Sequence, residues 1–391
     1  MDKKENQMGL LFRLCLCVFL GCLEVGILLG ILPAFVHGTL HFDDLIVGIV
    51  IGIQSAVTLL SRHFSGTLCD TKGSRTAVGY GVLVSALSGV VYLVSALFSA
   101  NPGVSLVVLI LGRIMLGLGE SLLITGALAW GIGLLGPKQS GKVMAWVGIA
   151  IYGAIGCGAP LGLAIRDLAG PGAAFGMLVV LPVAGWLFIR PLQRVAPAGG
   201  RRMPFYKVMG KVGLAGTGLA LGTVGFGCIA SFITLYFIQR SWTGAPIVLT
   251  VFGAAYIIAR LFFAHLPDKL GGAKVAWVCL LVEAAGQILI WKAGTPLVAM
   301  AGAALTGFGF SLVFPSFGVE AVKKLGPENR GAGLGAYVAF FDLALGVTAP
   351  TAGFIAGRMG YDAIYCFGAL CAFGAVLPAL FPGKVRVQPA M

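Results

Sequence analysis

Long apolar blocks alternate with short polar segments along the whole of this 391-residue chain. A helix that crosses the hydrocarbon core of a bilayer needs about 20 predominantly apolar residues. Twelve blocks reach that length, at residues 11–36, 45–68, 76–99, 104–134, 141–165, 172–191, 209–238, 246–266, 273–292, 296–322, 331–356 and 361–381. A long hydrophilic stretch, 191–211, falls near mid-chain and leaves six blocks on either side. The pattern predicts an all-α integral membrane protein with twelve transmembrane helices in two six-helix bundles.

Charge agrees with a membrane protein and gives its orientation. Only 10% of the residues are charged, against roughly 25% in soluble domains. The net charge of +13 does not indicate a nucleic-acid partner, because the Lys and Arg residues sit in short spacers between apolar blocks. If the N-terminus is cytoplasmic, only Arg166, Arg240, Lys292 and Arg358 lie in outer segments. The positive-inside rule then predicts a multi-pass protein of the bacterial inner (cytoplasmic) membrane with both termini cytoplasmic.

The two halves of the chain repeat each other. Arg62, Phe64, Asp70 and Gly73 recur 198 positions later as Arg260, Phe262, Asp268 and Gly271. A second set, displaced by 190 positions, pairs Gly117, Gly119, Ser121, Gly141, Ala159 and Pro160 with Gly307, Gly309, Ser311, Gly331, Ala349 and Pro350. Parallel repeats of this kind build transporters whose substrate site lies between the halves. We expect an N-terminal bundle at 1–191, a cytoplasmic linker at 192–208 and a C-terminal bundle at 209–391.

The loop between blocks 2 and 3 carries the most specific motif. It reads Gly66-Thr-Leu68-Cys-Asp70-Thr-Lys72-Gly73-Ser-Arg75, with a degenerate copy around Asp268. It resembles the signature loop of the major facilitator superfamily, which implies the twelve-helix fold of that family. Asp70, Gly73, Arg75 and Asp268 are then candidates for a conformational latch between the halves. The alternative is an ordinary Asp/Gly turn with stop-transfer charges.

Blocks 4 and 5 extend the resemblance. Gly112-Arg113 and the glycines that follow, up to Glu120, are similar to the second motif of the superfamily. Residues 148–162, rich in glycine and containing Pro160, are similar to the motif of its drug/proton antiporters, although Ala159 replaces the usual glycine. Generic helix packing would also explain the second stretch. The branch that the chain resembles is the arabinose-efflux-like group, which includes exporters of opine metallophores.

Acidic and basic residues inside the blocks are candidates for proton coupling. A charge at the centre of a spanning helix is costly, so it should face a polar interior. Buried carboxyl groups can carry a proton, and the resemblance places blocks 1, 4, 7 and 10 around the cavity. The proton-coupling candidates are Glu24, Arg113, Glu120 and Asp342. Arg113 has a purely structural alternative as a partner of backbone carbonyls, and Glu283 is expected to be peripheral.

Polar and aromatic residues in the blocks complete the predicted cavity. The candidates for substrate binding are Gln54, Trp130, Tyr152, Tyr236, Tyr256 and Tyr337. Trp and Tyr also form interfacial belts, so each aromatic residue has that alternative. Gln54 lies in the middle of its block and has no such explanation.

These features predict secondary active export driven by inward proton flow. The four charged candidates sum to −2 when all are ionised, which favours a cationic or zwitterionic amphipathic small molecule. Proton symport or facilitated import of a sugar or organic acid is the alternative. The chain has no phosphate-binding loop of the G-x-x-x-x-G-K-[ST] type, so ATP is not expected to be the energy source. No cysteine spacing resembles a metal site, and no cofactor is expected. No catalytic motif indicates an enzyme, and the family resemblance implies a monomer.

Overall fold

The computed structural model describes residues 3–136, 139–193, 195, 205–323 and 330–381, and within these residues the regular secondary structure is helical. The all-α prediction is confirmed. The helices are α1 Lys3–Ala34, followed by a π-helical turn Phe35–Thr39, α2 Asp44–Lys72, α3 Ser74–Leu97, α4 Pro102–Leu135, α5 Ser140–Ile189, α6 Phe205–Gln239, α7 Ala245–Phe263, α8 Leu266–Leu270, α9 Gly272–Trp291, α10 Pro296–Lys323, α11 Arg330–Met359 and α12 Tyr361–Leu380.

Helix α5 supplies two of the twelve predicted crossings. Its 50 residues are broken at Gly170, where φ is 84° and ψ is 169°. As one straight helix it would measure about 75 Å, more than twice the roughly 30 Å hydrocarbon core. Among the described residues, eleven helices are long and apolar enough to span a membrane. With α5 counted as two crossings, they account for the twelve apolar blocks.

Local sequence signals set several helix ends. The Asp43 side chain accepts the Ile46 N–H at 2.9 Å and caps the start of α2. The chain leaves α2 through Gly73, with φ of 88°, and leaves α8 through Gly271, with φ of 91°. Both are positive-φ positions that favour glycine, and they occupy corresponding places in the repeat.

The helices pack as two bundles related by the repeat. In the first, α1 packs on α5, and α4 packs on both α2 and α3; in the second, α6 packs on α11, and α10 packs on both α7 and α9. A Cβ at Gly117 would overlap the carbonyl oxygen of Gln54, and a Cβ at Gly307 would overlap that of Phe252. The two crossings correspond through the same 190- and 198-residue displacements. Small residues let the backbones approach this closely.

The bundles meet where α2 packs on α11 and α5 packs on α7. Near the start of α2, Cβ atoms at Gly48 and Gly353 would overlap the carbonyl oxygens of Ala349 and Asp44. At the start of α11, by contrast, a Cβ at Gly335 would meet nothing within 4 Å. The two helices are therefore tightly packed at the Asp44 end, which is the outer end in the predicted orientation. The linker at 192–208 stays a prediction, because residues 194 and 196–204 lie outside the described residues.

Candidate proton and substrate site

Three of the predicted residues come together in the N-terminal bundle. Gln54 Nε2 of α2 donates to Glu120 Oε2 of α4 at 2.7 Å. Glu24 of α1 has no exposed surface, and neither of its carboxyl oxygens has a hydrogen-bond partner among the described residues. It lies within electrostatic range of Glu120. The bundle therefore presents two neighbouring acids, one of them held by an amide and the other without a donor.

The fourth acid, Asp342, is paired across the bundles. Arg62 Nε of α2 donates to Asp342 Oδ2 of α11, and Arg62 Nη2 donates to Oδ1 at 3.0 Å. The side chains are 15% and 4% exposed, respectively. Glu120 lies within electrostatic range of both partners. A bidentate pair of this kind is strong and directional, and it links the acids of the N-terminal bundle to α11.

The repeat counterpart of Arg62 makes a related set of contacts in the C-terminal bundle. Arg260 Nη2 of α7 donates to the Tyr256 hydroxyl at 2.5 Å and to the Ser311 carbonyl oxygen at 2.7 Å. Asp342 itself corresponds to Tyr152 in the repeat, and Tyr152 lies against Tyr256 with ring centroids 4.0 Å apart. The contact between α2 and α11 thus uses an ion pair, whereas the contact between α5 and α7 uses two tyrosines and an arginine.

Aromatic rings surround this second contact. Phe226 of α6, Phe252 of α7 and Phe310 of α10 pack on Tyr152 at centroid distances of 5.3, 6.3 and 5.7 Å. Phe341, next to Asp342 in the chain, lies 6.4 Å from Phe310. The aromatic cluster, defined as Tyr152, Phe226, Phe252, Tyr256 and Phe310, therefore adjoins the charged pair. It contains two of the predicted substrate residues.

Arg113 is held by main-chain oxygens. Its Nε donates to the Val50 carbonyl oxygen at 2.9 Å, and its Nη2 donates to that of Ile51 at 2.8 Å. The side chain is 2% exposed. These contacts fasten α4 to α2, which matches the structural alternative for this residue. Its role in proton coupling stays a prediction.

Three predicted substrate residues lie away from the aromatic cluster. Trp130 Nε1 donates to the Gln193 carbonyl oxygen at 2.9 Å, beyond the end of α5. Tyr236 donates to the Ile290 carbonyl oxygen at 3.2 Å and packs on Trp242 near the end of α6. Tyr337 donates to the Phe314 carbonyl oxygen at 2.7 Å. The structure does not bring Trp130 or Tyr236 to the charged site, whereas Tyr337 lies within electrostatic range of Arg260. The substrate role of all three residues stays a prediction.

The predicted latch residues lie at the junction of α2 and α3 and in the short helix α8. Gly73 provides the turn into α3, and Arg75 Nη2 donates to the Arg190 carbonyl oxygen at 2.6 Å, which ties this loop to the end of α5. Asp70 lies in the last turn of α2 and is half-buried, and Asp268 lies in α8 and is exposed. The latch function of the four residues stays a prediction.

At the opposite end of α2, Asp44 joins the two bundles. Its Oδ1 accepts the Tyr361 hydroxyl of α12 at 2.6 Å and lies 3.5 Å from His37 Nδ1, in the π-helical turn. A cavity of about 360 Å³ adjoins these residues and is lined by His37, Asp44, Leu235, Ile238, Gln239, Ala356, Gly360 and Tyr361. The contact adds a polar connection to the glycine packing between α2 and α11.

Sequence reasoning recognised Arg62 and Arg260 as markers of the repeat but did not include them in the site. The available signal was a charge inside an apolar block at matched positions, which costs energy unless the side chain is paired. The phenylalanines of the aromatic cluster carry no such signal, because phenylalanine is common throughout the spans. Across the part of the chain that the structure describes, no group of three or more His, Cys, Asp or Glu could hold a metal ion.

Comparisons with known proteins are consistent with this architecture. The sequence model of the Major Facilitator Superfamily matches residues 14–247 and 216–390. An uncharacterized MFS-type transporter of Pseudomonas aeruginosa (strain LESB58) is 44% identical over 377 residues, which cover 96% of this chain and 94% of the relative. Another, from Burkholderia pseudomallei (strain 1106a), is 44% identical over 359 residues, which cover 92% of this chain and 88% of the relative.

A solved structure shows the same fold. The crystal structure of the human organic anion transporter MFSD10 (TETRAN) matches with a TM-score of 0.74 at 16% identity, covering 97% of this chain and all of the other. The structural match supports the fold, while the family model and the bacterial relatives establish descent. The chain therefore belongs to the major facilitator superfamily, and it is a membrane transport protein, not an enzyme.

Proposed function

We propose that the chain is a proton-coupled exporter, which exchanges inward-moving protons for a small cationic or zwitterionic amphipathic molecule. The observation that carries the proposal is Glu24, a fully buried acid without a donor among the described residues, in electrostatic range of Glu120. An ionised carboxylate there lacks any hydrogen-bond partner, whereas the protonated acid needs no counter-charge. Proton binding and release at these two acids is the proposed coupling step.

The Arg62–Asp342 pair supports a link between protonation and movement of the bundles. Glu120 lies within electrostatic range of both members of the pair, and the pair joins α2 to α11. A change of charge at Glu120 therefore alters the field at a contact between the bundles. Alternating access would couple the two events through the α2–α11 and α5–α7 contacts.

We propose the outward direction of transport because residues 148–162 resemble the antiporter motif. The arabinose-efflux-like branch, with its opine metallophore exporters, is proposed on the same basis. The same proposal places the protein in the bacterial inner membrane with both termini in the cytoplasm. It also divides the two bundles at a linker of residues 192–208 and takes the protein to be a monomer. The alternative is import of a sugar or organic acid by symport or facilitation.

The decisive experiment follows proton flux in energised inverted membrane vesicles with a fluorescent reporter of the pH gradient. Sugars, cationic amphiphiles and opine-type metallophores are added in turn. Antiport predicts that one class of cationic or zwitterionic compound collapses the gradient, and only in vesicles that contain the protein. Failure of every such compound, or uptake of a sugar or organic acid together with protons, would contradict the proposal.

Two variants test the acids directly. Glu24→Gln and Glu120→Gln are expected to abolish gradient-driven transport while substrate exchange continues, because the amide cannot carry the proton. Asp167→Asn provides a control, since Asp167 is exposed and pairs with the adjacent Arg166 at 2.8 Å. Gradient-driven transport at the wild-type rate in both Glu variants would remove these residues from the coupling step.

A further inference from the structure

The two polar atoms of the Gln54 amide differ in their contacts. Nε2 donates to Glu120 Oε2 at 2.7 Å, whereas Oε1 is buried and has no donor among the described residues. The residue as a whole is 3% exposed. A buried acceptor without a partner costs free energy. Gln54 Oε1 therefore needs a donor beyond those in its present contacts.

Contacts between α2 and α4 hold this amide in place. A Cβ at Gly117 would overlap the Gln54 carbonyl oxygen, and Thr58 Oγ1 lies 3.0 Å from the carbonyl oxygens of both residues. Further along the same two helices, the Ser65 and Ser121 hydroxyl oxygens are 2.9 Å apart. Close approach at small residues, with hydroxyl contacts beside it, fixes two helices against each other. The backbone therefore keeps the amide of α2 opposite the acid of α4.

The Gln54 amide can serve either protonation state of Glu120. An ionised carboxylate only accepts hydrogen bonds, and Nε2 supplies the N–H that it needs. A protonated acid adds an O–H donor, for which Gln54 Oε1 is a suitable acceptor. Half a turn of the amide about its last side-chain bond exchanges Nε2 and Oε1 without moving the rest of the residue. The same contact can thus follow proton binding and release.

Several titratable side chains surround Glu120. Those within electrostatic range of it are Cys22 and Glu24 of α1, Arg62 of α2, Arg113 of α4, Tyr152 of α5 and Asp342 of α11. On the α3 side, Gly119 faces the hydroxyl of Ser85. Arg62 is paired with Asp342, and Arg113 donates to main-chain carbonyls. Glu24 is then the neighbour whose charge has to be controlled in a test of Gln54.

We propose that Gln54 is a positioning residue for proton coupling, whose amide donates to the ionised Glu120 carboxylate and, after turning over, accepts the O–H of the protonated acid. This inference rests on the proposed proton coupling at Glu120, and it gives Gln54 a role other than the predicted contact with substrate. The proton is carried by Glu120, and Gln54 makes and breaks only hydrogen bonds.

Removing the amide should change the pH at which Glu120 binds its proton. Gln54→Met keeps an unbranched side chain of similar length but takes away both the donor and the acceptor. The ionised form loses more than the protonated form, because a hydrogen bond to a charged group is the stronger one. Glu120 should therefore keep its proton up to a higher pH, with a midpoint raised by about one pH unit.

Infrared spectroscopy of the purified protein in lipid nanodiscs measures this midpoint without any transport. The C=O band of the protonated Glu120 acid is identified by subtracting the spectrum of Glu120→Gln, and its intensity is followed against pH. In the wild-type protein the band should lie at the frequency of a hydrogen-bonded acid. In Gln54→Met it should move to the higher frequency of a free acid, and its midpoint should rise by about one pH unit.

Two controls separate this effect from a general disturbance of packing. Gln287→Met is the same substitution at a fully buried glutamine of α9, whose amide donates to the Gly225 carbonyl oxygen and the Thr306 hydroxyl, both at 3.2 Å. It should lower the melting temperature and leave the Glu120 band unchanged. The comparison is then repeated in Glu24→Gln, which removes the neighbouring acid, and the shift should persist there.

Three results would overturn the inference: a free-acid frequency in the wild-type protein, an unchanged band and midpoint in Gln54→Met, or an equal change in Gln287→Met. The wild-type frequency does not depend on whether a variant at position 54 folds. Transport is measured separately, and the pH midpoint of proton-driven transport should rise together with that of the band. An infrared shift without proton flux would support the role of Gln54 and count against the coupling alone. Proton flux with an unshifted band would count against Gln54 alone.

Discussion

Arg62 of α2 and Asp342 of α11, 280 residues apart in sequence, form a largely buried bidentate ion pair that joins the two bundles. Glu120 lies within electrostatic range of both members of the pair. The corresponding contact between α5 and α7 has Tyr152 in place of the acid, and its described residues contain no ion pair. The two contacts between the bundles are alike in backbone packing but different in charge.

Breaking the Arg62–Asp342 pair should destabilise the folded protein. Asp342→Asn leaves Arg62, whose side chain is only 15% exposed, without its counter-charge; the loss of one partner of a fully buried pair destabilises a protein by about 3–5 kcal/mol, and the expected loss here is at or below the lower end of that range. We expect a clearly lower melting temperature of the purified protein and loss of transport. Asp362→Asn is the control, because the Arg240–Asp362 pair is 38% and 41% exposed and surface pairs contribute about 0–1 kcal/mol. Equal effects of the two substitutions would show that the Arg62–Asp342 pair is not strongly coupled.

Glycine packing at the start of α2 should hold the bundles together at that end. A Cβ at Gly52 would lie 2.7 Å from the Gly346 carbonyl oxygen, so Gly52→Ala forces α2 and α11 apart. We expect faster hydrogen–deuterium exchange in residues 44–52 and 346–353. Gly176→Ala, at a helical position where a Cβ meets nothing within 4 Å, should leave exchange there unchanged. Unaltered exchange in Gly52→Ala would mean that this contact does not govern the opening of that end.

The Tyr361 hydroxyl should contribute to the same closed end. Tyr361→Phe removes the 2.6 Å hydrogen bond to Asp44, a loss of about 0.5–1.5 kcal/mol. Exchange in the His37–Asp44 region should therefore increase. Tyr365→Phe is a closely matched control, one helical turn away, because the Tyr365 hydroxyl has no partner among the described residues. If both variants raise exchange equally, the effect belongs to ring packing and not to the hydrogen bond.

Glu283 of α9 provides a contrast with Glu24. It is equally buried, and neither carboxyl oxygen has a partner in the described part of the chain. It lies beside Gln287, whose amide donates to the Gly225 carbonyl oxygen and the Thr306 hydroxyl, both at 3.2 Å, away from the aromatic cluster. We expect Glu283→Gln to retain gradient-driven transport and to leave the melting temperature unchanged or raised. Loss of coupling in Glu283→Gln would place a proton carrier in α9.

Much of the architecture follows from the sequence alone. The length of each apolar block determines that it can span a bilayer, and positive-φ turns at Gly73 and Gly271 require only local steric reasoning. The repeat of Arg62 and Gly117 as Arg260 and Gly307 predicts two related bundles, because related sequences pack alike. Glu24, Gln54 and Glu120 could be singled out because polar side chains in apolar blocks are costly unless they face one another.

Which side chains meet is decided by the tertiary structure. The rotation of each helix is set by close packing at residues such as Gly48, Gly117 and Gly353, and no periodicity along one helix contains that information. For this reason Tyr152 and Tyr256 reach the charged site, while Trp130 and Tyr236 bind main-chain carbonyls elsewhere. The sequence by itself determined the spans, the repeat and the acids of the N-terminal bundle. Only the folded chain, in which helix packing overrides sequence separation, decided that Arg62 pairs with Asp342 and that Arg260 lies among aromatic rings.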